Sequence, residues 1–224
     1  MQILITGGTG FIGSRLALSR AASGDSVRVL GRLRNPQETE QAQRLQAKGI
    51  EVVDVSVTDR AALDAVMEEV EVVYHLAAAQ HEANVPDAYF REINVVGTRN
   101  VMEAALAAGV RRVVHGSTIG VYGWRPGQTV RNESALAPDN IYGQTKLEGE
   151  RAVRDFEGRI PWVIARISET YGPGDGRLLK LFKGIDKFCK LRNYGLYCFC
   201  YFLVFIVDVL QNRLGIHKFQ ICII

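Results

Sequence analysis

The first 188 residues contain no cysteine, and the four in the chain, Cys189, Cys198, Cys200 and Cys222, all fall after them. The body of the protein therefore has no disulfide framework, and the uneven distribution marks a boundary in the chain more than a redox device. An excess of charge of one sign is lacking as well. A net charge of +3 gives no basis for a nucleic-acid partner or an anionic membrane surface. His75, His81, His115 and His217 have no metal-ligand spacing, and Cys198-x-Cys200 lacks a second pair, so no metal is expected. The longest apolar run, Leu196 to Val207, has 12 residues and is closed by Asp208, which is short for a membrane span. No cationic and apolar leader precedes the first strand, which makes the cytoplasm the expected location. What remains is 224 residues, 47% hydrophobic, enough for one domain or for one domain and a fragment of another.

Ile3-Leu4-Ile5 reads as a buried strand. It ends in glycines at 7, 10 and 13, and an amphipathic segment with Phe11, Ile12, Leu16 and Ala17 follows. Strand, glycine turn and helix in that order form the context of a dinucleotide site. Gly7 allows a tight turn, and Gly10 lets backbone approach a pyrophosphate. Gly13 lets the helix pack close to the sheet, with the helix N-terminus at Phe11 and Ile12 facing the phosphates.

Val27 to Leu30 reads as the second strand. NAD sites place an Asp or Glu at its end to hold the adenosine ribose. Gly31 stands there instead, followed by Arg32 and Arg34. Without the carboxylate a 2′-phosphate is not repelled, and a guanidinium can bind it, so NADP is favoured over NAD; the alternative is a solvated loop cation. Pro36 to Lys48 is helix-prone, with only Ala42 and Leu45 to face a sheet. Ile50 to Val53 is a third strand. Thr58 and Asp59 can cap a helix whose stripe is Ala62, Leu63, Val66 and Met67. Glu71 to Tyr74, Val110 to His115 and Trp162 to Arg166 complete six strands. After the fourth come His75-Leu76-Ala77-Ala78, small residues against which a cofactor can lie; His75 reads as a structural histidine. One long helix is expected from a face formed by Phe90, Ile93, Gly97, Val101, Ala104 and Ala108, interrupted by Asn94. A buried Asn must find partners.

Ser117 and Thr118 end the fifth strand, where hydroxyls can meet a substrate. Tyr142 and Lys146 then lie four apart on one helical face. A phenol, with a pKa of about 10, is a poor base at neutral pH, and a nearby ammonium favours the phenolate.

Thr6 to Gly13, His75 to Ala78, Asn94 to Thr98, Ser117 to Gly123, Tyr142 to Lys146 and Arg166 to Gly174 follow one order and spacing. By these residues the chain resembles the extended short-chain dehydrogenase/reductase family of NAD-dependent epimerases and dehydratases, truncated. The resemblance implies a catalytic trio of Thr118, Tyr142 and Lys146, with Tyr142 as acid/base, Lys146 also holding the ribose, and Thr118 orienting the substrate oxygen. It implies adenine contacts at Ser56 and Val57, where the family's Asp is replaced by Ser56. Leu76, Ala77 and Ala78 would line the cofactor. Asn94 matches a position that orders the active-site backbone, or is a core Asn satisfied by its own neighbours. Tyr171 to Gly174 resembles the loop over the nicotinamide, and residues 178 to 183 fit the next helix.

The expected fold is α/β, a doubly wound parallel sheet, in a dinucleotide-binding domain over residues 1–184. The resemblance implies that the family's C-terminal substrate domain is missing. Residues 185–224 would be an aberrant hydrophobic tail, expected to pack poorly, with a weak membrane anchor as the other reading. The expected activity is hydride transfer at a hydroxyl or carbonyl carbon of a small molecule such as a nucleotide sugar. The alternative is a truncated cofactor-binding module without turnover. A homodimer is one assembly open to the chain.

Overall fold

The computed structural model describes residues 1–80, 85–172 and residue 183. Six strands form one sheet: β1 (Gln2–Thr6), β2 (Ser26–Gly31), β3 (Glu51–Asp54), β4 (Val72–His75), β5 (Arg112–Thr118) and β6 (Trp162–Ile167). All neighbours are parallel, in the order β3-β2-β1-β4-β5-β6. The order reverses direction beside β1, the switch point at which open parallel sheets hold ligands over their carboxyl ends.

Helices cover both faces: α1 (Phe11–Ala22), α2 (Pro36–Gln46), α3 (Arg60–Val66), α4 (Asp87–Arg91), α5 (Gly97–Ala107) and α6 (Ile141–Arg154). Successive strand residues point to opposite faces, and the core divides accordingly. Ile3, Ile5, Val27, Val29 and Val72 pack with Ala17 of α1 and Leu45 of α2. Leu4, Leu30, Val73 and Val113 pack with Leu63 of α3, Val101 of α5 and Val153 of α6. Ala42 and Leu45 are the buried residues of α2, as the sequence predicts. Local chemistry starts the helices where they start. The carboxamide of Asn35 accepts the Glu38 N–H at 2.9 Å, with Pro36 next, and Asp59 accepts the Ala62 N–H at 3.0 Å.

The long helix expected around Asn94 forms without a break from Asp87 to Ala107, with one irregularity. A π-helical turn, Glu92–Val96, separates α4 from α5. Asn94, four residues after Phe90, lies on the expected face and is buried. Met102 and Ala105 are buried, and Ala108 lies exposed.

The described residues fall into two units, and the first, Met1–Gly123 with Ala135–Ser168, carries the whole sheet. The described part of the second includes Trp124–Ser134, where Arg131 and Ser134 close a turn on each other. Lys183, the one described residue of the segment 178–183, is helical. Pro173, Gly174 and the tail 185–224 lie outside the described residues. No described helix is long and apolar enough to cross a membrane.

Gly13 is where α1 meets the sheet. A Cβ there would stand 2.4 Å from the Gly7 carbonyl oxygen and 2.7 Å from the Gly8 Cα. An unstrained helical Gly→Ala exchange gains up to about 1 kcal/mol, whereas overpacking against backbone costs about 1–3 kcal/mol. The steric term should win. Gly13→Ala is expected to lower stability in denaturant melts, and a variant as stable as the wild type would refute this packing.

Candidate active site

The site is built from strand ends. Gly7 leaves β1 with φ +66°, and a Cβ on it would meet the Ala77 backbone nitrogen at 2.7 Å. The loops after β1 and β4 thus touch only because position 7 has no side chain. Gly10 precedes α1 with no side-chain cap and no acidic residue in the first turn. The amides of Phe11, Ile12 and Gly13 therefore head a helix with positive potential and no internal anion, a cradle suited to phosphate.

At the end of β2, Gly31 is buried, and a Cβ there would meet Thr9 Cγ2 at 2.4 Å. Thr9 occupies the space that a side chain at position 31 would need. Arg32 follows, half-buried. Asp54, at the end of β3, pairs in register with Gly31 and is exposed. The sequence reading missed this neighbouring carboxylate, which only the parallel register brings beside Gly31. Ser56 spends its hydroxyl on its own turn, 2.8 Å from Thr58 Oγ1. Val57 offers backbone alone, since its side chain is in the core and its carbonyl accepts Asn100 Nδ2 at 3.1 Å. Leu76 and Ala77 are half-buried and Ala78 is exposed.

His75 is fully buried, and its tautomer follows from its partners. Thr98 Oγ1 donates its one proton to the Asn94 carbonyl at 2.7 Å. His75 Nε2, 2.9 Å from the same oxygen, must therefore be the donor. Nδ1 is left to accept from Thr6 Oγ1 at 2.7 Å, and Thr6 in turn accepts the Ala77 N–H at 3.2 Å. Burial and the charge of Lys146 push the imidazole down to about 3. His75 is a neutral clamp between β1, β4 and α5, the structural role expected of it. Asn94 completes the clamp. Its Oδ1 accepts the Ala79 N–H at 2.8 Å, and its Nδ2 donates to the Ala79 carbonyl at 3.2 Å and to Thr145 Oγ1 at 3.0 Å. Asn94 thus orders the loop after β4 and ties it to α6, and with these bonds it is also a satisfied core Asn.

Thr118 ends β5, where its hydroxyl accepts the Gly120 N–H at 3.1 Å and opens a 3-10 turn, Ile119–Tyr122. Asn140 caps α6 by accepting the Gly143 N–H at 2.9 Å. A Cβ on Gly143 would lie 2.7 Å from the Gly120 carbonyl oxygen, so the first turn of α6, with Tyr142, rests on the turn that follows Thr118. One turn on, Lys146 is 1% exposed, and burial pushes its ammonium down to about 8 against the opposing pull of Glu150. His115 lies next to His75, ring centroids 5.2 Å apart. Neither His115 ring nitrogen has a partner among the described residues. Burial, Lys146 and His75 push His115 well below the usual imidazole range. No group of three or more His, Cys, Asp or Glu among the described residues could hold a metal.

Residues 3–187 match the model of the NAD dependent epimerase/dehydratase family. A UDP-glucose 4-epimerase of Mycolicibacterium smegmatis is 36% identical over 183 residues, covering 77% of this chain and 57% of its own. Sterol demethylase protein B of Methylococcus capsulatus is 34% identical over 182 residues, covering 79% and 54%. The crystal structure of UDP-glucuronic acid 4-epimerase from Bacillus cereus in complex with NAD superposes with a TM-score of 0.71 at 29% identity, over 77% of this chain and 58% of that one. The chain spans about half the length of the curated relatives it matches.

The neutral state of His75 has a pH signature. Its folded value of about 3 lies below the unfolded 6.5, so the unfolded chain takes up the proton first. The stability it contributes is complete above pH 6.5 and is lost as pH falls toward 3. His75→Gln keeps a donor and an acceptor and removes the titration. Its stability should fall with acid less steeply than the wild type, by up to about 1.4 kcal/mol per pH unit. Equal slopes in denaturant melts across that range would show that His75 is not held neutral.

Proposed function

The chain belongs to the NAD dependent epimerase/dehydratase family, and from that premise we propose that it binds a nicotinamide dinucleotide along the carboxyl edge of its sheet and oxidises or reduces a hydroxyl-bearing carbon of a nucleotide sugar. The observation that carries this reading is the placement of Tyr142 one turn before the buried Lys146, on a helix seated beside Thr118. The uncapped start of α1 and the glycine contacts at Gly7 and Gly13 suit the pyrophosphate.

Bound nicotinamide would supply the hydride acceptor and donor. Tyr142 Oη takes the proton of the substrate hydroxyl as the carbon is oxidised and returns it on reduction. The Lys146 ammonium favours the phenolate form of that hydroxyl and holds the cofactor ribose. The Thr118 hydroxyl, at the end of β5, orients the substrate oxygen. The family's UDP-glucose 4-epimerases motivate the sugar nucleotide as substrate.

NADP is the tighter ligand in this reading. Gly31 supplies no carboxylate and Thr9 fills its place, while Arg32, next in the chain, carries a guanidinium that can bind a 2′-phosphate. Asp54 works in the opposite sense by repelling a 2′-phosphate. NAD and NADP titrations of the wild type, Arg32→Ala and Tyr142→Phe decide both points. Arg32→Ala should erase the preference for NADP, and an unchanged ratio of affinities would overturn it. Tyr142→Phe should bind cofactor within a few-fold of wild type and lose about 10²–10⁴-fold in rate. A Phe variant at full rate removes Tyr142 from the chemistry. A wild type that binds cofactor and turns over no nucleotide sugar is a binding module.

A further inference from the structure

Glu150 lies one helical turn beyond Lys146 on α6 and is 1% exposed. Its Oε1 accepts the Ser117 hydroxyl at 2.6 Å and Arg166 Nε at 2.9 Å, and its Oε2 accepts Arg166 Nη2 at 2.7 Å. Arg166 also donates to Tyr122 Oη at 2.6 Å, its guanidinium over the Tyr122 ring. Ser117 and Arg166 are register partners on β5 and β6. One carboxylate therefore ties α6 to β5 and β6, and through Arg166 to the 3-10 turn, immediately beside Thr118.

Holding those segments together does not require charge. A buried ion pair is often no more stabilising than apolar side chains of the same volume. The charge has a use close by. Lys146 is as deeply buried as Glu150 and forms no ion pair of its own among the described residues. Other groups facing it cannot serve as counter-charge. His75 on β4 and His115 on β5 are held neutral, the cations Arg166 on β6 and Arg154 on α6 sit on Glu150, and the π turn contributes the uncharged Asn94. Tyr142, on its own helix, is the group it is proposed to serve. Burial works to raise the Glu150 carboxyl, but hydrogen bonds from Arg166 and Ser117 and the arginine charges hold it below the usual range.

We propose that Glu150 is the positioning residue of this site: clamped by Arg166 and Ser117, it fixes the end of β5 against α6 and supplies the counter-charge that keeps Lys146 an ammonium. This rests on the reading of Tyr142 and Lys146 as the acid/base pair. The test uses the full chain without cofactor, labelled with ¹⁵N-lysine. The Nζ signal of Lys146 is identified by its loss in Lys146→Met and followed by NMR against pH. The wild-type midpoint is expected near 8. Glu150→Gln should lower it by about one unit or more, and Glu150→Asp, which keeps the charge, should restore it. Should Glu150→Gln fail to fold, Glu150→Met removes the same charge with an apolar side chain of similar length and should show the same fall. A midpoint unmoved in the charge-removed variant overturns the proposal. The acid/base reading fails separately, through a fully active Tyr142→Phe, and that result would leave the Lys146 titration untouched.

Discussion

A lysine ammonium withdrawn from water sets the terms for the carboxyl edge of this sheet. Lys146 is 1% exposed, and its burial pushes it from 10.5 to about 8. The folded value lies below the unfolded one, so the stability Lys146 contributes is complete only above pH 10.5 and has been lost by pH 8. At neutral pH the fold thus holds a charge it would be more stable without. Its surroundings are arranged accordingly. The two nearest imidazoles stay neutral, and the one carboxylate deep in the same helix is held ionised by Arg166.

The polar groups beneath the site are mostly satisfied, and the way they are satisfied determines geometry. Thr6, His75, Thr98 and Asn94 form one chain of hydrogen bonds running from the end of β1 to the π turn. Asn94 then reaches both the loop after β4 and Thr145 on α6. The loop that would line a cofactor and the helix that carries Tyr142 and Lys146 are thereby set by a single side chain. Buried networks of this kind specify a unique arrangement because a partly satisfied alternative is costly. His115 is the exception, with two ring nitrogens lacking partners among the described residues, and its burial costs stability accordingly.

Much of this was legible in the sequence. The glycines at 7 and 13, the six strands and the spacing of Tyr142 and Lys146 each have a local physical cause, and each stands where its pattern predicts. His75 was legible as structural, though its tautomer required the positions of Thr6 and Thr98. What escaped was non-local. The π turn at Glu92–Val96 leaves no signal in the spacing of the apolar face. The approach of Thr9 to Gly31, the register of Asp54 and the pairing of Glu150 with Arg166 join segments far apart in sequence. A helix pattern identifies Glu150 only as a residue on a face. The sheet makes it a partner of Ser117.

The central claim is that this edge brings a nicotinamide dinucleotide and an acid/base pair to one carbon. The most direct measurement is a single-turnover absorbance experiment. The full chain, loaded with oxidised cofactor, is mixed with a UDP-hexose, and the near-ultraviolet band of reduced nicotinamide is followed in time. The account predicts that the band appears in the wild type and is lost in Tyr142→Phe. Cofactor and sugar nucleotide both bound, with no reduction at any pH at which the chain is folded, would contradict it.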